Sequence, residues 1–437
     1  MKFTLYGRAA LGMLTGLFLS CNVLAQQDAD LDALKLADQM TLPSESPSNW
    51  RVFTEGALGA AQQRATGSFQ PEQRLSFDVQ YDNSLSHDWR FMFADRMDVD
   101  NPAEPPYNHT INTIKETYLS WQADSDLMID VGRINDRHGV ASGYNPTDFL
   151  KTDAVRSEVS VDPASLKENR QGSVMVRVQS LSESSSTTLL YSPRITNQSN
   201  SVNMNDSSFS PDFGATNNQN RWILSYSNKV THEFNPQVLV YQSDQLPVQL
   251  GLNMTSLLGD STVIYGEWSG GHSPSLLVQA QRQLGLPYDD DTTFHQRLAT
   301  GLTYTTTNKI ALTAEFDYNG NGLTQLQTAT IERHVHAFTG LYGLYSAWLS
   351  GAQEPSDKES AFFYLSWQDA LINHLDLSAM QRWNINDGSR LAWMEARYHL
   401  THSEFALQWQ RYSGSEFSEF GATSQTQSWT LLGRFYF

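Results

Sequence analysis

The densest run of chemistry-bearing side chains lies between Arg133 and Arg170. Gly132-Arg133-Ile134-Asn135-Asp136-Arg137-His138-Gly139 leads into Gly143-Tyr144-Asn145-Pro146-Thr147-Asp148-Phe149, and Arg156, Asp162-Pro163 and Glu168-Asn169-Arg170 come after it. Gly and Asn-Pro punctuate turns, so the stretch reads as a connection. It is longer than the roughly 15 residues beyond which connections are usually functional or disordered. Val140, Tyr144, Phe149, Leu150 and Val155 supply apolar anchors that argue against disorder. Guanidinium and carboxylate groups brought together on such a loop can form a charged constriction that sorts solutes by charge. Arg133, Arg137, Asp148, Arg156 and Arg170 are expected to narrow a lumen in this way. The alternative is an extracellular cap held by its own salt bridges.

Other reactive residue types are less well organised. Asp289-Asp290-Asp291 near His295 could bind calcium or form an acid–His pair, but a charge run on a loop reads first as a solvated face. His334 and His336 beside Glu332 have metal-compatible spacing, yet two histidines without a third ligand are a weak signal. His399, His402 and Ser403 adjoin one another, but no serine lies in a nucleophile-elbow context, and no Gly-rich phosphate cradle or cysteine nucleophile is present. These residues predict no enzyme activity, no metal and no cofactor.

The composition narrows the class of protein. The 437 residues carry 29 Lys and Arg against 47 Asp and Glu, for a net charge of −18. Nucleic-acid binding, which depends on net positive charge, is disfavoured. Hydrophobic residues are 40% and charged residues 17%, both below globular averages, while aromatics reach 11%. Lys2 and Arg8, the apolar run from Ala9 and Val23-Leu24-Ala25 predict a cleaved export signal over residues 1–25. Removing it leaves 27 basic against 47 acidic residues, a charge of −20, and takes away the single cysteine, Cys21. Residues 26–48 read as a tail or short helix in the periplasm, with a plug of the lumen from below as the alternative.

The elements that must position the charges are strands. Leu75-Ser76-Phe77-Asp78-Val79-Gln80-Tyr81 alternates apolar with polar, and so do Ile310 to Tyr318, Ala392 to Leu400 and Phe405 to Gln410. Repeated through residues 49–437, this pattern predicts an all-β transmembrane, antiparallel, up-and-down β-barrel of about 18 strands, with 16 as the alternative. Strand lengths are near the roughly 9–11 residues that span a bilayer obliquely. Alternate connections come out short at 83–88, 124–125, 182–185, 229–235, 257–259, 307–308, 369–372 and 401–402. The other set includes the long 100–111, 135–169, 195–220, 271–295 and 320–358, the parity of short periplasmic turns and long outer loops. Alternation projects Asp78, Asp130, Arg177, Arg297, Glu315, Asp317, Asp376, Arg382, Glu395, Arg397, Glu404 and Arg434 into the lumen. These charges would be costly against lipid. Residues 334–350, with Phe338, Leu341, Tyr342, Leu344, Tyr345 and Trp348, fit either an apolar loop helix or one more strand pair.

In the final segment Trp429, Leu431, Gly433, Phe435 and Phe437 share one face. Such a strand ending in Phe resembles the β-signal of Gram-negative outer-membrane barrels, with Phe435 and Phe437 in the assembly-signal positions. The Gly-Arg, Gly and Asn-Pro-Thr-Asp sequence of the long loop, and Leu365-Ser366-Trp367-Gln368-Asp369-Ala370, are similar to uncharacterised porin-like barrels of proteobacteria. The resemblance implies a porin-like channel for passive passage of small solutes in the outer membrane. It also implies contacts with outer-membrane lipid, lipopolysaccharide and the barrel assembly machinery. An uptake or efflux barrel for a hydrophobic or anionic compound, and a closed barrel acting as scaffold or adhesin, are the alternatives.

Overall fold

A computed structural model describes residues 48–102, 109–197, 209–231, 234–333 and 335–437, without side chains for 331–341. The leader expected at 1–25 and all but the last residue of the 26–48 segment lie outside the described residues, as does His334.

Among the described residues eighteen strands succeed one another. They are β1 (Trp50–Gln63), β2 (Phe69–Ser84), β3 (Trp89–Asn101), β4 (Thr110–Asp124), β5 (Leu127–Ile134) and β6 (Ser173–Leu181). Next come β7 (Ser185–Ser192), β8 (Arg221–Asn228), β9 (Gln237–Ser243), β10 (Gln249–Leu258), β11 (Thr262–Ser273) and β12 (Thr293–Thr305). The last six are β13 (Ile310–Asn319), β14 (Glu359–Trp367), β15 (Leu375–Asn384), β16 (Arg390–His399), β17 (Ser403–Ser413) and β18 (Gln425–Tyr436). Each strand pairs antiparallel with the next, and β1 pairs with both β2 and β18, so the sheet closes on itself. Closure satisfies every strand edge, which a span through hydrocarbon requires. Among the described residues no helix is long and apolar enough to cross a membrane.

The outer face is apolar and uncovered. Leu58 is 63% exposed and Val131 52%, and Trp222, Leu250, Phe363 and Leu431 lie open in the same way. At the periplasmic end, Trp50 meets Tyr81 at 4.4 Å between ring centroids, and Trp89 stacks on Trp121 at 5.7 Å. An apolar band bordered by aromatic rings is the surface of a membrane barrel.

The inner face is mixed. From β6 to β9, Met175, Leu190, Ile223 and Leu239 are buried and pack with Ile134, Leu150 and Tyr241. Both faces of the wall are therefore apolar there, as Leu189 outside and Leu190 inside illustrate. A bulge in β4 adds a charge to the interior. Ala94 of β3 faces Glu116 while Asp95 faces Ile114, so Lys115 is an extra residue in β4. The bulge lets Lys115 and Glu116 both turn away from lipid.

Among the described residues five helices lie in the long connections: α1 (Pro163–Glu168), α2 (Phe213–Thr216), α3 (Leu276–Gln283), α4 (Gln325–Arg333) and α5 (Val335–Ala352). Residues 335–350 are thus helical and add no strands. Leu276 and Ala280 of α3 and Tyr342, Tyr345 and Leu349 of α5 pack together with Leu323 and Phe417.

Candidate functional site

Residues 135–172 connect β5 to β6 and run across the inside of the barrel. The far wall holds the loop by carboxylates. Glu267 of β11 accepts hydrogen bonds from the Val140 and Ala141 amides, and its other oxygen accepts from Thr147 Oγ1 at 3.1 Å. Glu315 of β13 accepts from the amides of Ser142, Gly143 and Tyr144 at 2.9, 2.8 and 3.0 Å, and from the Tyr265 hydroxyl at 2.7 Å. Charge-assisted bonds of this kind are stronger than neutral ones. Gly143 is needed for the approach, because a Cβ there would lie 2.6 Å from Phe362 Cβ.

The loop then doubles back. Phe149 stacks on Tyr241 at 4.5 Å, beside the apolar patch of β6 to β9. Further on, Val161 packs against Phe362, Met380, Leu391 and Trp393 of β14 to β16. Asp162 caps α1, accepting from the Ser165 amide at 3.1 Å, and its other oxygen accepts from Tyr364 at 3.2 Å. Arg51 of β1 donates to Glu168 at 2.6 Å.

Most of the charges projected inward on the strands face a partner of opposite sign. Asp130 pairs with Arg177 at 2.8 Å, Asp78 with Lys115 at 2.6 Å, and Arg397 with both Glu395 and Glu404 at 2.8 Å. Arg297 lies 3.7 Å from Glu354 and faces the Phe149 ring. Arg382 lies over Phe362, and buried Asp317 accepts from Ser360. Asp376 accepts from His399 at 3.0 Å.

Register explains the largest cluster. His399, Glu404, Arg434, Glu55, Ser76 and Asp98 are successive cross-strand partners from β16 through the closing pair to β3. Glu55 Oε1 accepts from Arg74 at 2.7 Å and Arg96 at 3.2 Å, and Oε2 accepts from Arg434 at 2.8 Å. A cavity of about 240 Å³ opens between this wall and the 159–169 segment of the loop. Arg51, Arg74 and Arg434 line it on the β18–β1–β2 side, and Asp376, Glu395 and Glu404 on the β15–β17 side.

Of the five loop residues expected to form a constriction, four are buried and act as anchors. Arg170 and Asp148 pair with each other at 2.5 Å. Arg156 pairs with Asp212 at 3.2 Å and donates to the Asn112 carbonyl. Arg133 donates to the Pro211 carbonyl at 2.5 Å and lies over the Phe213 ring, so the 209–217 segment covers it. Arg137 is exposed. None of the five lines the wall cavity. The four buried side chains find their partners 2.5–3.2 Å away, within the loop itself or on the 209–217 segment. On the same loop, burial alone would raise the Asp136 carboxyl, but His138 and Arg177 hold it well below the usual carboxylate range.

Sequence reasoning missed Glu55, Arg74, Arg96, Lys115 and Glu267. Glu55 shares its face with Phe53 and Ala57, which masks the alternation. Lys115 is displaced by the bulge. Glu267 stands in a run of Gly, Trp and Ser whose polarity does not alternate.

No protein-family model matches the chain, and no curated protein matches it. Solved structures do. Acinetobacter baumannii OccAB1 superposes with a TM-score of 0.54 at 8% identity, covering 89% of this chain and 96% of that one. The chain has the outer-membrane β-barrel fold. Pseudomonas aeruginosa OccD3 (OpdP) gives 0.47 at 11% identity, covering 91% and 93%. A triple mutant of the Rhodopseudomonas blastica porin gives 0.43 at 10%, covering 89% and 99%. At 8% identity the likeness to OccAB1 concerns the fold alone.

Proposed function

We propose that the barrel is a porin-like channel of the Gram-negative outer membrane, through which small solutes pass passively rather than being chemically altered. The observation that carries this reading is the charged cavity between the loop and the β14–β18, β1–β2 wall. An 18-strand barrel is wide enough to hold water unless loops fill it, and this loop fills one side more than the other. The path then runs along the wall, and the 133–170 loop acts by narrowing the lumen against it. Arg74, Arg434 and Arg51 face the solute there. The lumen charges act as a field that slows or speeds ions according to sign.

Single-channel recording of the refolded barrel in a planar bilayer tests the reading. Discrete conductance steps are expected, with a reversal potential in a salt gradient that shifts toward cations in Arg74→Gln. A barrel that inserts and never conducts would sink it. The second reading, a closed scaffold that works through its outer loops, draws on the apolar packing of α3 and α5 over the outer side.

A further inference from the structure

The wall cavity has two electrically different sides. On the β18–β1–β2 side, the guanidinium groups of Arg74, Arg96 and Arg434 converge on the single carboxylate of Glu55. Arg96 is also balanced by Asp98 at 3.0 Å. The three arginines and Glu55 all line the cavity, and Arg74 and Arg434 are the more open of the four, at 13% and 22% side-chain exposure against 2% for Arg96 and 4% for Glu55. Among these four groups, therefore, the positive ones are presented and the negative one is covered. Arg51 extends the same face, where it pairs at 2.6 Å with Glu168 of the loop, which also lines the cavity, and its Nε has no hydrogen-bond partner.

On the β15–β17 side the balance reverses. Glu395, Glu404 and Asp376 surround Arg397 and His399. His399 offers both ring nitrogens to carboxylates, Nε2 to Asp376 at 3.0 Å and Nδ1 to Glu404 at 3.3 Å. Even with the imidazole charged, carboxylates outnumber cations in this cluster. The two clusters touch through Arg434 and Glu404, 3.8 Å apart. The lining also includes the apolar rings of Trp393 and Trp367.

A field with separated poles in a partly apolar cavity discriminates by charge arrangement rather than by net charge. A lone anion gains at one pole and is repelled at the other, and a lone cation behaves likewise with the poles exchanged. A solute carrying a carboxylate and an ammonium a few bonds apart gains at both. Resting on the channel reading of this same cavity, we infer that it is a binding site for small zwitterions of the amino-acid or short-peptide class. The carboxylate lies toward Arg74 and Arg434, and the ammonium toward Asp376 and Glu395.

The test uses the full-length refolded barrel in detergent and three small probes: diglycine, its N-acetylated form, which is an anion, and its C-terminal amide, a cation. Binding is read by calorimetry and by the tryptophan fluorescence of the cavity, neither of which requires conduction. Diglycine is expected to bind several-fold tighter than either singly charged form. Arg74→Gln should weaken diglycine and the anion while sparing the cation. Asp376→Asn should weaken diglycine and the cation while sparing the anion. Equal affinity for diglycine and the acetylated form, or no binding of any probe to correctly folded barrel, overturns the inference. Potassium chloride conductance is recorded on the same preparations. Conduction without zwitterion preference removes the binding site alone, and zwitterion binding without conduction removes the channel reading alone.

Discussion

Arg434 and Glu55 face each other across the pair of strands that closes the barrel, with Nε 3.0 Å and Nη2 2.8 Å from the same carboxylate oxygen. The pair therefore joins the first strand to the last by side chains as well as by backbone. It also sets the polarity of the wall, because Arg74 and Arg96 share the other oxygen of Glu55.

Removing that carboxylate should be costly. In Glu55→Gln three buried or half-buried guanidinium groups lose their common partner. Stripping one member from a buried ion pair typically destabilises by about 3–5 kcal/mol. A loss of this order is expected in urea titrations of the barrel folded into lipid vesicles, with a shift of reversal potential toward anions in the fraction that folds. Arg434→Gln, which leaves Arg74 and Arg96 on Glu55, should cost less. An unchanged urea midpoint in Glu55→Gln would show that water replaces the carboxylate without penalty.

Assembly gives a second expectation. Phe435 lies on the outer face in edge contact with Phe405, and Phe437 is 81% exposed while its amide still donates to the Val52 carbonyl. Phe437→Ala removes little packing, so refolding of the purified chain in detergent should be nearly unchanged. Insertion in cells should slow, read as a larger unfolded band in heat-modifiable electrophoresis of membrane fractions. Equal effects in both assays would make Phe437 an ordinary packing residue and not an assembly signal.

The barrel was largely legible because its physics is periodic. One face meets lipid and the other meets charge or loop, so alternation locates strands such as Arg221–Asn228 and Ser403–Ser413 at their observed bounds. Pairing between charges was partly legible: Asp130 and Arg177 project inward on adjacent strands, and they do pair. What alternation could not give was the third dimension. Arg156 and Arg170 are conspicuous in the sequence, but their partners Asp212 and Asp148 come from a distant loop and from a fold of the same loop. The apolar inner patch of Met175, Leu190, Ile223 and Leu239 is covered by Leu150 and Phe149, which the loop brings back against it. The Glu55 cluster depends on closure, which brings residues 55 and 434 together from opposite ends of the sequence.

The outer loops should respond to pH. Glu419 accepts from Asn384 at 2.8 Å, and its amide donates to Asp387. Burial, with Asp387 and Asp357 nearby, pushes its carboxyl up to about 7. Burial also raises Asp387. A carboxyl with a raised folded-state pKa binds more protons when folded, so its contribution is full below the ordinary value of 4.5 and is lost as pH rises through about 7. Hydrogen exchange of residues 414–424 should therefore be slower at pH 5 than at pH 8. Glu419→Gln should flatten the difference. Exchange that slows with rising pH, after correction for intrinsic rates, would contradict the assignment.

The loop and the wall are joined most strongly where two carboxylates meet five consecutive backbone amides, from Val140 to Tyr144. If this latch sets the width of the passage, weakening it should change conductance without unfolding the barrel, whose strands are closed independently of the loop. Glu315→Gln keeps the shape of the side chain but exchanges charge-assisted bonds for neutral ones, about half as strong. Glu267→Gln does the same on the neighbouring amides, and the double variant should loosen the segment most. The expected record is a larger and noisier open level with frequent sub-states, in barrels whose urea midpoint is close to that of the parent. Gly143→Val acts on the same contact by volume, since the added side chain cannot fit beside Phe362. A quiet, unchanged conductance in all of these variants would mean that the Val140–Tyr144 segment does not border the path of the ions.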